Sequence, residues 1–131
     1  MRQRASSGSP FEATIGFSRA VRVGDRILVS GTAPVEADGS STQGGAGPQA
    51  ARCLAIITAA IEELGGSTTD VVRTRMYLTD AADADAIGTA HGAVFGDIRP
   101  ASTMVVVAAL LRPEWRIEIE AEALLASSPT A

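Results

Sequence analysis

The sequence predicts an α+β domain with the element order β-β-α-β-α-β-β. Several short segments alternate apolar and polar residues, which is the period of two that a half-buried strand imposes. Two longer segments repeat their apolar residues every three or four positions, which is the pattern of an amphipathic helix. A chain of 131 residues fits one domain with a substantial core. We therefore expect a single domain over residues 1–131, with loose tails at about residues 1–9 and 127–131.

The N-terminal half is predicted to contain a hairpin and a helix. Gly24-Asp25 separates the apolar segments 20–23 and 26–29 and has the composition of a two-residue hairpin turn. Pro48 then begins a helix, since the N–H that proline lacks would have no partner in the first turn. Gly65-Gly66 ends this helix, because glycine readily adopts the backbone conformation that closes a helix.

The stretch after this helix predicts a strand and a second helix. Residues 71–78 are rich in β-branched and apolar residues, which indicates a strand. Thr79 or Asp80 is a typical cap for the helix that follows, and the helical pattern runs to about Phe95. Arg99-Pro100 then interrupts that pattern.

Two strands, residues 103–111 and 115–124, complete the predicted sheet. The second of them is apolar on one face and places a row of charged residues on the other: Arg116, Glu118, Glu120 and Glu122. Strand 103–111 is apolar on both faces and therefore needs cover on both. If these two strands pair, some of the glutamates lie beside a buried surface, where a carboxylate can take part in chemistry.

The number of helices predicts self-association. Two helices can cover only one face of a sheet of this size, and strands 71–78 and 103–111 carry apolar residues on the other face too. Soluble monomers rarely leave a large apolar patch in contact with water. We therefore expect a homo-oligomer that buries the second face of the sheet.

The composition excludes several classes of function. The net charge of −4 gives no bulk attraction to nucleic acid or to an anionic membrane. Cys53 is the only cysteine, which excludes an internal disulfide, and no apolar run approaches the roughly 20 residues of a membrane span. The N-terminus lacks the apolar stretch of a signal peptide, so we expect a cytoplasmic protein that does not bind nucleic acid or membranes.

Several short motifs, in this order and spacing, resemble the YjgF/RidA family, which is also called L-PSP endoribonuclease-like. They are GFSRAV (16–21), VSGTAP (29–34), the helix starting near Gln49, VVRTRMYLTD (71–80), RPAST (99–103) and IEIEA (117–121). The resemblance spans nearly the whole chain. It implies a chorismate-mutase-like α+β fold, with a mostly antiparallel sheet, two helices on one face, and assembly into a homotrimer with ligand clefts between subunits.

The resemblance also implies an activity. The best-known members hydrolyse reactive 2-imino or enamino acids to 2-keto acids and ammonia without metal or cofactor, as 2-iminobutanoate/2-iminopropanoate deaminases. In that pattern an arginine after the Pro-Ala pair clamps the substrate carboxylate. A glutamate of the last strand orients the attacking water, and a serine and a tyrosine line the pocket. Carried over to this chain, Glu120 matches the glutamate and Ser30 matches the serine.

Three positions depart from the family pattern. Phe17 stands in place of the tyrosine, Ser102 in place of the clamping arginine, and Gly88 in place of an asparagine on the second helix. A serine cannot replace the two-pronged bond of a guanidinium, and losing such a bond in a dry site costs about 1.5–3 kcal/mol or more. Deamination of 2-imino acids is therefore one hypothesis, and a catalytically silent trimer that binds a small metabolite is a second. Endoribonuclease activity is a third, which the acidic composition disfavours.

The predicted site comprises Glu120 as the catalytic residue and Phe17, Ser30, Arg75, Ser102 and Thr103 as ligand-binding residues, with no metal and no cofactor. The expected ligand is a small carboxylate or imine. Arg75 has two interpretations: it replaces the missing clamp, or it forms a salt bridge with a glutamate of the cleft such as Glu118. His91, the single histidine, is expected to be a surface or packing residue.

Overall fold

The computed structural model describes residues 1–126, and the tail predicted at 127–131 lies outside them. The elements are β1 (Arg2–Ala5), β2 (Ala20–Val23), β3 (Arg26–Thr32), α1 (Ala46–Glu63), β4 (Val71–Leu78), α2 (Ala84–Phe95), β5 (Ala101–Val106) and β6 (Ile117–Leu124), with single helical turns at Glu12–Gly16, Thr68–Asp70 and Ala81–Asp83. The strands form one sheet in the order β1-β2-β3-β6-β4-β5. Every neighbouring pair is antiparallel except β4 and β5, which confirms the α+β fold and the mostly antiparallel sheet.

The N-terminal tail is the first correction to the sequence analysis. Residues 1–9 are not loose throughout, because Arg2–Ala5 pairs with β2 from Arg2 opposite Val23 to Ala5 opposite Ala20. Of this strand only Ala5 is buried. The backbone of β1 covers the edge that β2 would otherwise expose, and this pairing requires no apolar alternation. A polar strand at a sheet edge therefore leaves no periodic signal in the sequence.

Helix α1 begins two residues before Pro48 and packs its apolar stripe against the sheet. Its buried residues include Cys53, Leu54, Ile57 and Ile61, each 0–1% exposed. At the other end the Gly66 N–H donates to the Ile61 carbonyl oxygen, which closes the helix as expected. Helix α2 packs beside α1, and the core lies between these two helices and the sheet. None of the helices in residues 1–126 is long and apolar enough to cross a membrane.

Strand β6 alternates as the sequence predicts. Ile117, Ile119, Ala121 and Ala123 are buried in the core beneath the helices. Glu118, Glu120 and Glu122 point to the opposite side of the sheet, which we call the open face. Strand β4 presents Arg73, Arg75 and Tyr77 to the same face, opposite the buried Thr74, Met76 and Leu78.

Strand β5 is the second correction. It ends at Val106 instead of residue 111, and it pairs with β4 in parallel instead of with the acidic strand. Both edges of β6 are already occupied, by β3 on one side and β4 on the other. The β4–α2–β5 segment is a crossover, which joins parallel strands. Because β4 lies between β5 and β6, the apolar strand β5 is not adjacent to the glutamates of β6.

Candidate functional site

The glutamate row meets basic and phenolic side chains across the β4–β6 pair. Arg75 lies opposite Glu120 in the register, and Tyr77 lies opposite Glu118. The Arg75 Nη1 atom is 3.4 Å from Oε1 of Glu120 and 3.4 Å from Oε1 of Glu122. The Tyr77 hydroxyl donates to Glu120 Oε1. Arg75 therefore forms salt bridges with this row, which is one of the two interpretations predicted for it. Its partners are Glu120 and Glu122 instead of Glu118.

A groove of about 540 Å³ runs along this part of the open face. Its lining includes Val21, Leu28, Ser30, Arg73, Arg75 and Glu120. Three of the predicted site residues, Ser30, Arg75 and Glu120, therefore share one groove. The Ser30 hydroxyl donates to the Ser18 carbonyl at 2.7 Å, so its lone pairs, not its proton, are free to meet a ligand.

Glu118 is a carboxylate that was predicted only as one of the charged row and as a possible partner of Arg75. It packs against the backbone of Gly31, where its Oε2 atom lies 2.7 Å from the point that a Cβ on residue 31 would occupy. Burial raises the pKa of Glu118, the charge of Glu120 raises it further, and the Arg19 guanidinium partly opposes both. Within residues 1–126, Glu118 makes none of the side-chain ion pairs that hold the other two glutamates. It is thus the least compensated carboxylate of the row.

Arg19 lies near Glu118 on the side of β3, and Phe17 packs beside Arg19. The Arg19 guanidinium donates to the Gly31 carbonyl oxygen and lies 5.6 Å from the centre of the Phe17 ring, within the range of a cation–π contact. Among the described residues its buried Nε–H has no hydrogen-bond partner. Burial lowers the pKa of Arg19, while Glu12 and Glu118 act in the opposite direction. Phe17 is therefore connected to the site indirectly: it packs on Arg19, and Arg19 binds the carbonyl of Gly31 beside Glu118.

Ser102 and Thr103 lie on opposite sides of the sheet. Ser102 is paired with Thr74, and Thr103 with Arg75, in the parallel register of β4 and β5. Thr103 thus shares the open face with Arg75, whereas Ser102 lies on the side of the helices. The Ser102 Oγ atom is 2.8 Å from Thr74 Oγ1. A single chain therefore does not bring Ser102 together with Glu120.

His91 has a specific partner that the sequence analysis missed. Its Nε2 atom is 2.8 Å from Thr74 Oγ1, and its ring packs on Phe95 at 4.7 Å between centres. Burial lowers the pKa of His91 below its usual value. The contact joins residues 17 positions apart on different elements. No local pattern could have shown it.

The fold and the groove define a small single-sheet α+β protein with a charged groove on the helix-free face. The model of the family described as "Endoribonuclease L-PSP" matches residues 8–125. The chain therefore belongs to this family, the YjgF/RidA family of the sequence analysis.

Individual relatives agree with this assignment over most of their lengths. An uncharacterised protein of Streptomyces coelicolor is 36% identical over 121 residues, covering 92% of this chain and 90% of that protein. A RutC family protein of Pyrococcus abyssi is 34% identical over 106 residues, covering 80% and 83%.

Solved structures confirm the fold. A member of the YjgF/YER057c/UK114 family from Mycobacterium tuberculosis superposes with a TM-score of 0.86 at 41% identity, covering 95% of this chain and 100% of that one. RidA from an Antarctic Psychrobacter species superposes with a TM-score of 0.78 at 31% identity, covering 84% and 89%. The predicted family and fold are thus confirmed.

Proposed function

We propose that this protein is a cofactor-free hydrolase of the RidA type, acting on a small reactive imine or enamine. The observation that carries the proposal is Glu118, a partly buried carboxylate with a raised pKa, set against the backbone of Gly31. A base with such a pKa takes a proton from water more readily than an ordinary carboxylate does. The family resemblance implies this role for Glu120, whereas the partial burial of Glu118 against Gly31 favours Glu118.

Glu120 suits a different role in the same proposal. Arg75 and Tyr77 both hold its Oε1 atom, which fixes the side chain in position. Residues two apart on one strand face are about 7 Å apart, so Glu120 lies close enough to favour a protonated iminium over the neutral imine. A protonated imine is the better electrophile for water. Glu120 is thus the electrostatic partner of Glu118 and remains part of the proposed machinery.

The proposed reaction consumes one water molecule and needs no other co-reactant. Glu118 takes a proton from water as the water oxygen bonds to the iminium carbon, which gives a carbinolamine. The proton then passes from Glu118 to the nitrogen. The C–N bond breaks as the hydroxyl becomes a carbonyl and returns its proton to the Glu118 carboxylate. The products are a ketone or keto acid and ammonia, which takes that proton from Glu118 and leaves as ammonium. One carboxylate serves as base and then as acid.

The site is proposed to be completed by a second copy of the chain. Ser102 lies on the helix side of edge strand β5, whereas Ser30, Thr103, Arg75 and the glutamates lie on the open face or its groove. The two sets can meet at one ligand only where β5 of one copy borders the open face of another. Large apolar side chains are also exposed on that face, including Leu28 at 44% and Val105 at 42%. These observations support the homotrimer with clefts between subunits.

A catalytically silent trimer that binds a small metabolite is the second candidate. The absence of an arginine at Ser102 favours it, and so does the commitment of Arg75 to two carboxylates. A cytoplasmic location stays a prediction, and the buried free thiol of Cys53 is compatible with a reducing compartment. The acidic charge continues to disfavour nucleic acid as a substrate.

An imine-hydrolysis assay tests the proposed function. An amino-acid oxidase generates 2-imino acids in place, and semicarbazide traps those that have not yet hydrolysed. We expect addition of this protein to lower the yield of trapped adduct. An unchanged yield across several imino acids would contradict the hydrolase and favour the silent trimer. Thermal shifts with 2-keto acids would then test that alternative, since a ligand that binds the folded state raises the melting temperature.

A further inference from the structure

Strand β3 contains a bulge beside the candidate site. The register of β3 and β6 shifts between Val29 and Thr32, so that Ser30 and Gly31 together lie opposite one residue of β6. A bulge of this kind leaves backbone groups unpaired across the ladder, and other groups must satisfy them. The Thr32 hydroxyl donates to the Ser30 carbonyl oxygen at 2.8 Å. The Gly31 carbonyl oxygen accepts from the Arg19 guanidinium, so Arg19 holds the glycine side of the bulge.

The backbone of Arg19 is tied to the same bulge. Its carbonyl oxygen accepts from the Ser30 N–H at 3.0 Å, and its N–H donates to the Ala5 carbonyl oxygen at 2.9 Å. The Ser30 hydroxyl donates to the carbonyl oxygen of the preceding residue, Ser18. The guanidinium also lies 5.6 Å from the centre of the Phe17 ring. Arg19 therefore connects two candidate site residues, Phe17 and Ser30, with the N-terminal strand.

The Arg19 guanidinium is not held by an ordinary ion pair. It forms no salt bridge within residues 1–126, although the residue is half-buried and its Nε–H has no hydrogen-bond partner there. A cation removed from water needs nearby negative charge to compensate it. The carboxylates that act on it are Glu12 and Glu118. Glu12 is already bound by the N–H and the hydroxyl of Ser7, so Glu118 is the less committed of the two.

We propose that Arg19 is a positioning residue for Glu118: it holds the Ser30-Gly31 bulge in shape and places its positive charge beside the carboxylate. The inference rests on the proposed function, because Glu118 is the base of that site. Both side chains lie against Gly31. Glu118 packs where a Cβ would be, and Arg19 binds the carbonyl oxygen. The hydrogen bond and the charge are two contributions of one side chain, and different substitutions separate them.

The other titratable groups around Glu118 carry no positive charge. Glu120 lies two residues away on β6, Tyr77 lies opposite on β4, and the Cys53 thiol lies near it on α1. An opposite charge favours the ionised form of a carboxylate, whereas a like charge or burial disfavours it. Among the described residues, Arg19 is therefore the group that lowers the pKa of Glu118 against burial and the charge of Glu120.

The pH profile of kcat/KM for imine hydrolysis tests the proposal with three substitutions of one residue. Arg19→Met removes the bond and the charge, Arg19→Gln keeps a donor for Gly31, and Arg19→Lys keeps the charge. We expect the rise of activity with pH to move to higher pH in the Met and Gln variants, because a base without a neighbouring cation ionises at higher pH. The Lys variant should keep the rise in place. On the plateau Arg19→Met should lose at least tenfold, the effect of a displaced catalytic group, and Arg19→Gln should lose less.

Arg22→Met is the matched control for these variants. The Arg22 guanidinium also binds a backbone carbonyl, that of Leu64 at 2.7 Å, just beyond the end of α1. We expect its replacement to leave the pH profile unchanged. An unmoved profile in Arg19→Gln would overturn the proposal, and that variant carries the test of charge even if Arg19→Met does not fold. Equal plateau losses in Arg19→Met and Arg22→Met would also overturn it, because they would show only a general effect on the fold.

Titration of Glu118 by ¹³C NMR separates this proposal from the hydrolase. The signal of its carboxyl carbon is identified by its loss in Glu118→Gln, and the titration needs no turnover. We expect Arg19→Gln to move the titration to higher pH and Arg22→Met to leave it in place. A moved titration in a protein that hydrolyses no imino acid would keep the link between Arg19 and Glu118 and remove the hydrolase. Imine hydrolysis with an unmoved titration would keep the hydrolase and remove the link.

Discussion

The carboxylate of Glu118 occupies the space that a side chain on residue 31 would need. Its Oε2 atom is 2.7 Å from the ideal Cβ position of Gly31, closer than real Cβ contacts allow. Gly31 has no positive φ, so backbone conformation does not require a glycine there. The glycine is required by the close approach of the carboxylate.

Gly31→Ala is therefore expected to damage the site more than the fold. The new methyl group displaces the end of a flexible side chain, which can rotate away at small cost to stability. A displaced base loses its alignment with the water it activates, so we expect kcat/KM for imine hydrolysis to fall at least tenfold. Kinetics and thermal unfolding of the same sample measure the two effects.

Gly92→Ala is the matched control for that experiment. Gly92 lies inside α2, and a Cβ there meets nothing within 4 Å. Alanine in a helix interior is favoured over glycine by about 0.5–1 kcal/mol, so we expect slightly higher stability and unchanged activity. Equal kinetic losses in both variants would remove the proposed link between Gly31 and Glu118.

The contribution of Glu118 to the free energy of unfolding is expected to fall as pH rises. Its pKa is raised in the folded protein, so the protonated form favours folding. That contribution is complete below the unfolded value of about 4.3 and is lost as pH rises through the higher folded value. Glu118→Gln should therefore gain stability relative to the unmodified protein over this window. Urea unfolding of both proteins between about pH 4 and 7 covers this window and measures the difference in their free energies of unfolding. A difference that does not change with pH would contradict the raised pKa.

The Arg75 ion pairs are expected to contribute little to stability. Arg75 is 38% exposed and Glu120 is 30% exposed, so water and salt screen their interaction. We expect Arg75→Met to cost at most about 1 kcal/mol at low salt, and less at high salt. Arg26→Met is the comparison, since Arg26 is 62% exposed and 3.8 Å from Glu122. A loss of several kcal/mol that salt does not reduce would show that Arg75 has a structural role beyond charge.

The open face is expected to be buried in solution by other copies of the chain. Light scattering after gel filtration should give three times the mass of the chain. Leu28→Lys places a charge on a partly exposed position of that face and should shift the protein toward smaller species. A monomer in the unmodified protein at micromolar concentration would contradict both the trimer and a cleft that needs two copies.

The order of the elements after β1 could be predicted from the sequence because each leaves a local signal. The alternation of β6 and the apolar stripe of α1 both correspond to faces that the structure buries. Strand β1 leaves no such signal, since a polar edge strand is held by backbone hydrogen bonds alone. The partner of β5 could not be predicted, because pairing depends on the crossover through α2 and the composition of the strand carries no information about it.

For the candidate site, the sequence could predict only which face of each strand carries the candidate residues. Alternation placed Glu118, Glu120 and Glu122 on one face, but it cannot distinguish which of the three takes part in the chemistry. Burial separates them, because Glu118 packs against the backbone of Gly31 and lies near Arg19, both outside β6. The contact between His91 and Thr74 is likewise a product of packing. Long-range geometry, and not residue type, distinguishes the groups proposed to act.

Turnover of Glu118→Gln beside Glu120→Gln in the imine-hydrolysis assay tests the central claim most directly. The two variants make the same chemical change two residues apart on one strand face, so each is the control for the other. We expect Glu118→Gln to lose at least a hundredfold in kcat, the usual contribution of a general base, while Glu120→Gln retains part of its rate. Full activity in Glu118→Gln, with activity abolished in Glu120→Gln, would contradict the account and return the catalytic role to Glu120.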